Sequence, residues 1–531
     1  MEPYPEISIY EFLEKSAEEY PDKEAVIYLD QRLTYRELKV QVDKFATALA
    51  DLGVKKQECV VTILPTCIEF IIADFAILRL GAIHVPLSIL HKAPDLLHEI
   101  NEVDAKTIIC SYRRLERLEE IQNKISVKNL IYIPVPLFPD YTLPEMKTVP
   151  NAHKMTDLIE KYEPNPPNVT INPKEDIAFI PFTGGTTGVP KGTMLTHYNI
   201  TTNVSQSLHW FLSPLERGFK GKSATLICVP IFHQYGHWAY ISAISWGLRT
   251  FLIDARDIDH IAELIRTARP FAVFAVPTHF SELLLRELKK MPIFYFSGAA
   301  ALPPEVGKQF GKKTGVPMSE GYGMTECSPC THINLSALSK VTRFMTEVKE
   351  SVGVPVPDTE VKLVNPDTGK EVPLGQEGEV WIRGPQVMLG YWPEKGKGLQ
   401  PDGWLATGDI GVMDEDGYFK IVDRIKDMIN ISGMKVYSRV IDDALHTHPA
   451  VRMAGVIGIP DPNRPGSERV KAFVILQDEY KEKISSEDII EFCKEILPPY
   501  AVPKQVEIRD SLPLTRVMKL DKKKLKLEEN L

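Results

Sequence analysis

The stretch Thr183-Gly-Gly-Thr-Thr-Gly-Val-Pro-Lys191-Gly192 constrains this chain more than any other. It follows Ile177-Ala-Phe-Ile-Pro-Phe182, an apolar run that reads as a buried strand. Glycines let a backbone fold tightly and bring its N–H groups against an anion. Threonine hydroxyls add donors, and the lysine adds a point charge. A strand opening into such a loop suits a polyphosphate. It is not a Walker A loop, because the Gly-x-x-x-x-Gly-Lys-Ser/Thr spacing is missing. A Ser/Thr/Gly-rich run alone is more often a plain loop. The strand before it and Pro190-Lys191-Gly192 after it favour the phosphate reading.

The surrounding pattern is one of strands alternating with helices. Ser8 to Glu11 and Thr34 to Glu37 read as capping boxes, the second opening a helix that Gly53 closes. Cys59–Leu64 reads as a strand, Ile68–Leu80 as a helix and Lys106–Cys110 as another strand. The alternation resumes from Ala224 to about Gly315, which implies a parallel α/β architecture. Prolines crowd between Pro134 and Pro173, marking a loop-rich connection. From Val352 to Lys420 short alternating runs with turn signals predict a small β-rich subdomain, about 350–422. A compact α+β segment follows Lys426. A length of 531 residues exceeds a single core and calls for two or more domains. We place them at 1–425 and 426–531.

Composition narrows the function. A net charge of −9 argues against a general nucleic-acid binder. The seven cysteines are scattered without a disulfide framework, which fits a reducing, cytoplasmic setting. The opening residues carry no basic n-region or apolar h-region, so no signal peptide is expected. The most apolar region, Cys59 to Leu90, is interrupted by Glu69, Asp74 and Arg79 and reads as core, not as a membrane span.

Further motifs accompany the phosphate loop. Gly321-Tyr-Gly-Met-Thr325-Glu326 offers a carboxylate for Mg²⁺ and a hydroxyl for a phosphate. Thr407-Gly-Asp409 offers a carboxylate suited to two ribose hydroxyls, with Tyr418, Asp423 and Arg424 close behind. Pro513-Leu-Thr515-Arg-Val-Met-Lys519 sets one lysine in a turn-like segment. In this order and spacing the motifs resemble the acyl-adenylate-forming (ANL) superfamily of acyl-CoA synthetases, peptide-synthetase adenylation domains and beetle luciferases. The resemblance runs over nearly the whole chain. Ser297-Gly-Ala-Ala, Gly378-Glu-Val-Trp-Ile-Arg-Gly384 and Asp423-Arg-Ile-Lys-Asp-Met-Ile look most like the fatty-acyl-CoA synthetases.

The resemblance implies an ANL fold: a large N-terminal domain of α/β subdomains, a small mobile C-terminal domain and an active site between them. It implies an ATP-, Mg²⁺- and coenzyme A-dependent ligase acting on a fatty or other apolar carboxylic acid through an acyl-adenylate. By position, Thr183, Gly184, Thr186, Thr187, Gly188 and Lys191 would bind the β,γ-phosphates, and Glu326 the metal. Gly298, Ala299, Gly321, Tyr322 and Thr325 would surround adenine and the α-phosphate, with Asp409, Tyr418 and Arg424 on the ribose side. Lys519 would serve the first half-reaction, Lys426 the hinge, and Gly433 and Lys435 the pantetheine tunnel. His233 would gate the acyl pocket, and His237 would stand either in its wall or in plain packing. Peripheral membrane contact and a homodimer stay open. So do a fatty-acyl-AMP ligase, a carrier-protein acylating enzyme and a catalytically silent nucleotide- or acyl-binding protein. An amino-acid-activating domain usually has Asp where His233 stands, so an α-amino acid is disfavoured.

The chain departs from the family at three places: Met518 stands where glycine is usual, and Ser438 and Val440 stand where Pro and Glu are common. These bear on docking of the C-terminal domain. Other motifs read more plainly. Cys327-Ser-Pro-Cys330 lacks the second pair a structural zinc needs and reads as two incidental cysteines. Gly218-Phe-Lys-Gly-Lys-Ser223 is two residues short of a P-loop and reads as a solvated loop.

Overall fold

The computed structural model describes residues 4–135, 152–184, 190–212, 216–334, 349–515, 518–529 and 531. Two nine-stranded sheets dominate it. In the first, Ala224–Ile227, Arg249–Leu252, Ala272–Ala275, Phe294–Ser297 and Ser319–Gly323 run parallel, with antiparallel partners at the edges. In the second, Cys59–Ile63, Ile83–Pro86, Thr107–Ser111 and Asn129–Ile133 form the parallel centre. Parallel sheets are covered on both faces, so their strands are apolar throughout. Cys59–Ile63 and Ala272–Ala275 accordingly bury every residue. Helix Ile68–Arg79 lies at the centre, with ten of its twelve residues buried.

Local sequence signals explain most boundaries. Helix Tyr35–Asp51 starts on the Thr34–Glu37 capping box and ends before Gly53, at φ 90°. The other box is only half made. The Glu11 carboxylate accepts from Ser8 N at 2.8 Å, but the helix begins at Tyr10 without a side-chain cap. The apolar run at 177–182 is divided by Pro181, which lacks the N–H a continuous strand needs. Ile177–Phe179 pairs with His84 on one side and with Leu195 and Thr196 on the other. Phe182–Gly184 turns into a hairpin with Pro190–Thr196, so that Thr183 faces Lys191.

The β-rich region is a four-stranded antiparallel sheet of Glu360–Val364, Gly378–Arg383, Leu405–Met413 and Phe419–Arg424. One piece leaves it. Gly390–Tyr391 joins the second large sheet instead, pairing with Thr193 and Met194. After Arg424 comes a two-stranded ribbon, Ile429–Ile431 with Met434–Val436, closed by Ser432 (φ 52°) and Gly433 (φ 88°). Two positive φ angles in a two-residue loop make a type I′ turn, whose second position glycine fills without strain. Helices Ser438–His446 and Ser486–Ile496 then pack on the sheet of Val451–Pro460, Glu468–Leu476 and Gln505–Ile508, around a separate apolar core.

Ser438 ties this C-terminal part to the four-stranded sheet. Its buried hydroxyl donates to Asp423 Oδ2 at 2.9 Å and accepts from Lys522 Nζ at 2.8 Å. Lys522 also reaches Asp442 at 2.7 Å. The residue usual in the family, proline, cannot make that link, although the first helical position accepts its ring. Ser438→Pro should therefore fold but lower stability by about 1.5–3 kcal/mol, the range for a hydrogen bond to a charged group. It should also speed proteolysis of segment 425–437. Thermal melting and timed protease digestion of both proteins check this; unchanged digestion would remove Ser438 from the docking contact.

Candidate active site

The strand ends of both large sheets meet the four-stranded sheet in one place. Phe294–Ser297 and Ser319–Gly323 are adjacent and parallel, which brings Gly298 and Ala299 beside Gly321 and Tyr322 at their C-terminal ends. That is where α/β sheets expose backbone and bind ligands. Ala299 takes a φ of 68° in the turn. A Cβ on Gly298 would meet the Tyr235 ring at 3.3 Å, so the position is held close to that aromatic.

Two clusters stand at this junction. In the first, Tyr322 donates its hydroxyl to Asp409 Oδ2 at 2.7 Å, and Arg424 Nε meets Asp409 Oδ1 at 3.1 Å. Asp409 and Arg424 are cross-strand partners, which fixes the pair by register. Asp409 is buried while Arg424 remains half exposed. Asp409 raises the guanidinium's already high pKa. Burial first, and then Asp409, raises the Tyr322 phenol well above its usual range, so it stays a donor.

The second cluster gathers around Glu326, in the helical turn Thr325–Cys327. Glu326 Oε1 accepts from Thr183 Oγ1 at 3.3 Å and from the Tyr391 hydroxyl at 2.8 Å. The Lys191 ammonium lies 5.2 Å from the centroid of the Tyr391 ring. Among the described residues no three His, Cys, Asp or Glu side chains gather to hold a metal. A single carboxylate beside phosphate-binding groups is a donor set that suits Mg²⁺, which keeps its waters and takes most remaining ligands from phosphates.

Lys519 approaches from the C-terminal part. Its turn is closed by Thr515 N donating to Lys519 O at 2.6 Å and Met518 N donating to Thr515 O at 3.0 Å. Thr278 Oγ1 in turn donates to Met518 O at 2.8 Å, fastening the turn to the large domain. Met518 takes a φ of 61°, which glycine adopts freely, and its side chain packs against the large-domain core. Burial and then Arg424 push the Lys519 ammonium down to about 8, with Asp409 opposing. His233, whose Nδ1 caps helix Gln234–Ser245 by accepting from Tyr235 N at 3.3 Å, is pushed down to about 3 by burial and by Lys519. The imidazole there is neutral.

An apolar cavity of about 30 Å³ lies behind Tyr235, lined by Trp238, Ser242, Leu248, Phe271, Phe274 and Phe296 among others. It extends past Trp238 to Ser242 and Leu248. The Tyr235 hydroxyl donates to Phe296 O at 3.2 Å, setting this ring between Gly298 and the cavity.

The structure brings together Thr183, Lys191, Glu326, Gly298, Ala299, Gly321, Tyr322, Thr325, Asp409, Arg424, Lys519 and His233. Thr186, Thr187 and Gly188 lie outside the described residues, and Gly184 pairs with Pro190 in the hairpin. One open alternative closes and one expectation changes. His237 is not a cavity wall: it is fully buried, stacks on Phe179 at 4.0 Å and donates Nε2 to Asp74 Oδ2 at 3.3 Å. Tyr418 stands beyond the register pair Met413–Phe419, at the turn end of the hairpin, with Lys349 4.6 Å from its ring centroid. Asp409 pairs with Arg424 at the other end, so Tyr418 does not join the ribose side. Gly433 and Lys435 are exposed on the ribbon away from these clusters, Lys435 pairing with Asp367 at 3.1 Å. Cys327 and Cys330 are buried free thiols, and burial raises both.

The sequence reading missed Tyr391. Its signal was the Gly390-Tyr391-Trp392 triplet, hidden in a region assigned wholesale to the β-rich sheet.

Comparison with known proteins agrees with this geometry. The family model of the AMP-binding enzyme matches residues 13–392, and that of the AMP-binding enzyme C-terminal domain matches 440–519. The chain belongs to the AMP-binding enzymes, the adenylate-forming superfamily that contains the AMP-forming acyl-CoA ligases. It is 33% identical to a long-chain-fatty-acid–CoA ligase of Bacillus subtilis over 550 residues, covering 99% of this chain and 95% of that one. The same identity holds to a ligase of that name from Escherichia coli, over 98% and 94%. Among solved structures, the anthranilate CoA ligase AuaEII in complex with anthranoyl-AMP superposes with a TM-score of 0.85 at 26% identity, covering 100% of this chain and 99% of that one. A benzoate CoA ligase from Burkholderia xenovorans LB400 shares the fold with a TM-score of 0.83 at 24% identity, over 98% and 99%.

The Lys519 environment yields a pH prediction. A lysine lowered to about 8 is charged below that pH and loses its proton as pH rises through it. If the ammonium is the working form, adenylate formation should fall on the alkaline side, with bound phosphate moving the limb upward. Lys519→Arg, charged at every accessible pH, should flatten the limb whatever its absolute rate. Pyrophosphate exchange between pH 6.5 and 9.5 checks this; parallel profiles for the two proteins would exclude Lys519 as the titrating group.

Proposed function

We propose that this protein is an ATP-dependent acid–CoA ligase that activates a fatty or other apolar carboxylic acid as an acyl-adenylate. The observation that carries the reading is Lys519, held beside the Asp409–Arg424 pair in the same junction as Glu326 and Thr183. An acid attacking the α-phosphorus brings two anions together, and a fixed cation relieves that repulsion most in the transition state. Thr183 and Lys191 would face the β,γ-phosphates, Asp409 the ribose, and Gly298 and Tyr322 the adenine. Glu326 would hold Mg²⁺, which when bound neutralises phosphate charge. The acyl-adenylate is labile to water, and the tight packing of Met518 and Thr278 over the junction favours its protection.

The apolar cavity supports a hydrophobic acyl group, as does the likeness to long-chain-fatty-acid–CoA ligases. From His233 to Ser242 helix Gln234–Ser245 advances roughly 13 Å, which gives the scale of the depth. At about 30 Å³ the cavity is small. An acyl chain therefore requires lining side chains to turn aside.

The exposed ribbon with Gly433 and Lys435 fits a second orientation of the C-terminal domain, reached by rotation at Lys426. There the ribbon would line the path of the CoA thiol while Lys519 withdraws. The division into 1–425 and 426–531 is part of this proposal.

Pyrophosphate release across straight-chain, aromatic and amino acids, with and without CoA, tests the reading. The specificity constant should rise with each added methylene, by roughly 0.8 kcal/mol in binding, until the cavity floor is met. Lys519→Ala should lower adenylate formation roughly 10²–10³-fold and spare thioester formation from supplied acyl-adenylate. A preference for short hydrophilic acids or amino acids would defeat the substrate assignment. Wild-type acyl-adenylate without acyl-CoA would mark an AMP ligase or a carrier-protein partner instead. No adenylate from any acid would mark a silent binding protein.

A further inference from the structure

The Glu326 carboxylate, in the helical turn after one sheet, and the Lys191 ammonium, on a strand of the other, both touch one aromatic side chain. Tyr391 donates its hydroxyl to Glu326 Oε1 at 2.8 Å and presents its ring to Lys191 Nζ at 5.2 Å from the centroid. The backbone dictates this double contact. Tyr391 is paired with Thr193 in an antiparallel ladder, so Lys191, two residues along, is its diagonal neighbour. Diagonal neighbours are within reach of aromatic and long side chains. The same segment holds the Glu326 turn, because Met388 N donates to Glu326 O at 2.8 Å.

The ring has little freedom. Gly398 stands against it at φ 90°, where a Cβ would come within 2.4 Å of the ring carbon Cε2. Tyr391 N donates to Lys397 O at 2.9 Å, and Trp392 N donates to Gly192 O at 2.8 Å, locking the segment to the strand that carries Lys191.

We propose that Tyr391 is a positioning residue of the phosphate site, whose one rigid side chain sets the spacing between its metal-facing carboxylate and its phosphate-facing ammonium. The two contacts are separable. The hydroxyl orients Glu326 and leaves the other carboxylate oxygen for the cation. The ring seats the lysine while keeping its charge available, since a cation over an aromatic face is attracted without being neutralised. This rests on the ATP-site assignment above, not on the identity of the acid or of the acyl acceptor.

Calorimetric ATP binding to the full-length protein, with Mg²⁺ and with chelator, tests it without turnover. Tyr391→Phe keeps the ring and removes the hydroxyl. Its Mg²⁺-dependent ATP affinity should fall about tenfold, as for loss of a hydrogen bond to a charged group, while metal-free ATP affinity stays at the wild-type value. Tyr391→Leu removes both contacts and should also weaken metal-free ATP binding about two- to fivefold. In pyrophosphate exchange, Tyr391→Phe should need more Mg²⁺ for half-maximal rate and recover its kcat at saturating metal. Wild-type ATP binding tests the site assignment; the difference between the two variants tests the role of Tyr391. Equal losses with and without Mg²⁺ in Tyr391→Phe, or no loss in either, would overturn the proposal. Melting curves of both variants with chelator separate misfolding from a local effect, and Tyr391→Phe is the variant expected to melt like wild type.

Discussion

The two large sheets are joined across a buried carboxylate. Asp74, inside the central helix Ile68–Arg79, is fully buried and accepts from three donors. His84 Nδ1 reaches it at 2.5 Å from the second sheet, while His237 and Tyr240 reach it from helix Gln234–Ser245 against the first. Thr62 donates to the far nitrogen of His84 at 2.7 Å and fixes its tautomer. Burial alone would raise the Asp74 carboxyl. His237 and His84 outweigh it and hold the group below the ordinary carboxylate range. A charge so placed is tolerated only when every lone pair is served. The geometry of three elements is thereby specified at one point. One of them is the helix whose first turn carries His233 and Tyr235 into the active-site junction, so the site inherits its alignment from a knot that touches no substrate.

Above the knot, the site is assembled where the edges of three sheets meet. The hairpin of the second sheet gives Thr183 and Lys191, the first sheet gives Tyr322 and Glu326, and the four-stranded sheet gives Asp409 and Arg424. Hydrogen bonds cross these boundaries near the junction: Thr183 to Glu326, Tyr322 to Asp409, Tyr391 to Glu326. Each pair is polar enough to exchange partners with a nucleotide. Of this set, Lys519 alone is supplied by the C-terminal part, and it stands near Arg424, Asp409 and His233.

Much of this was legible in the sequence because it is local. Capping at Thr34, apolar runs such as Cys59–Ile63 and the glycine closing a helix at Gly53 follow from neighbouring residues alone. Motif order exposed the site, because Thr183, Glu326, Asp409 and Lys519 each sit in a short, chemically unusual run. What escaped depends on contacts between distant segments. Asp74 looked like an interruption of an apolar stretch, and nothing nearby announces its partners 10 and 163 residues away. His237 could stand in the pocket wall or in plain packing, and only its contact with the distant Asp74 decides for packing. Tyr418 lies near Arg424 in sequence, yet strand extension carries it to the far end of the hairpin. Tyr391 was hidden because its segment leaves one sheet to pair with another.

If the C-terminal domain docks and undocks as proposed, the lowered affinity of Lys519 for its proton makes docking a proton-coupled event. In water a lysine holds its proton to about pH 10.4; beside Arg424 this one does so only to about 8. Between those values the docked form binds fewer protons than an undocked one, so rising pH pulls the domain inward. The same rise strips the lysine of the charge that makes docking useful. An anion between Lys519 and Arg424 resolves the conflict, because it restores the lysine's hold on the proton and rewards the docked arrangement together. In that mechanism nucleotide binding and domain position would both act on the occupancy of a single ammonium proton.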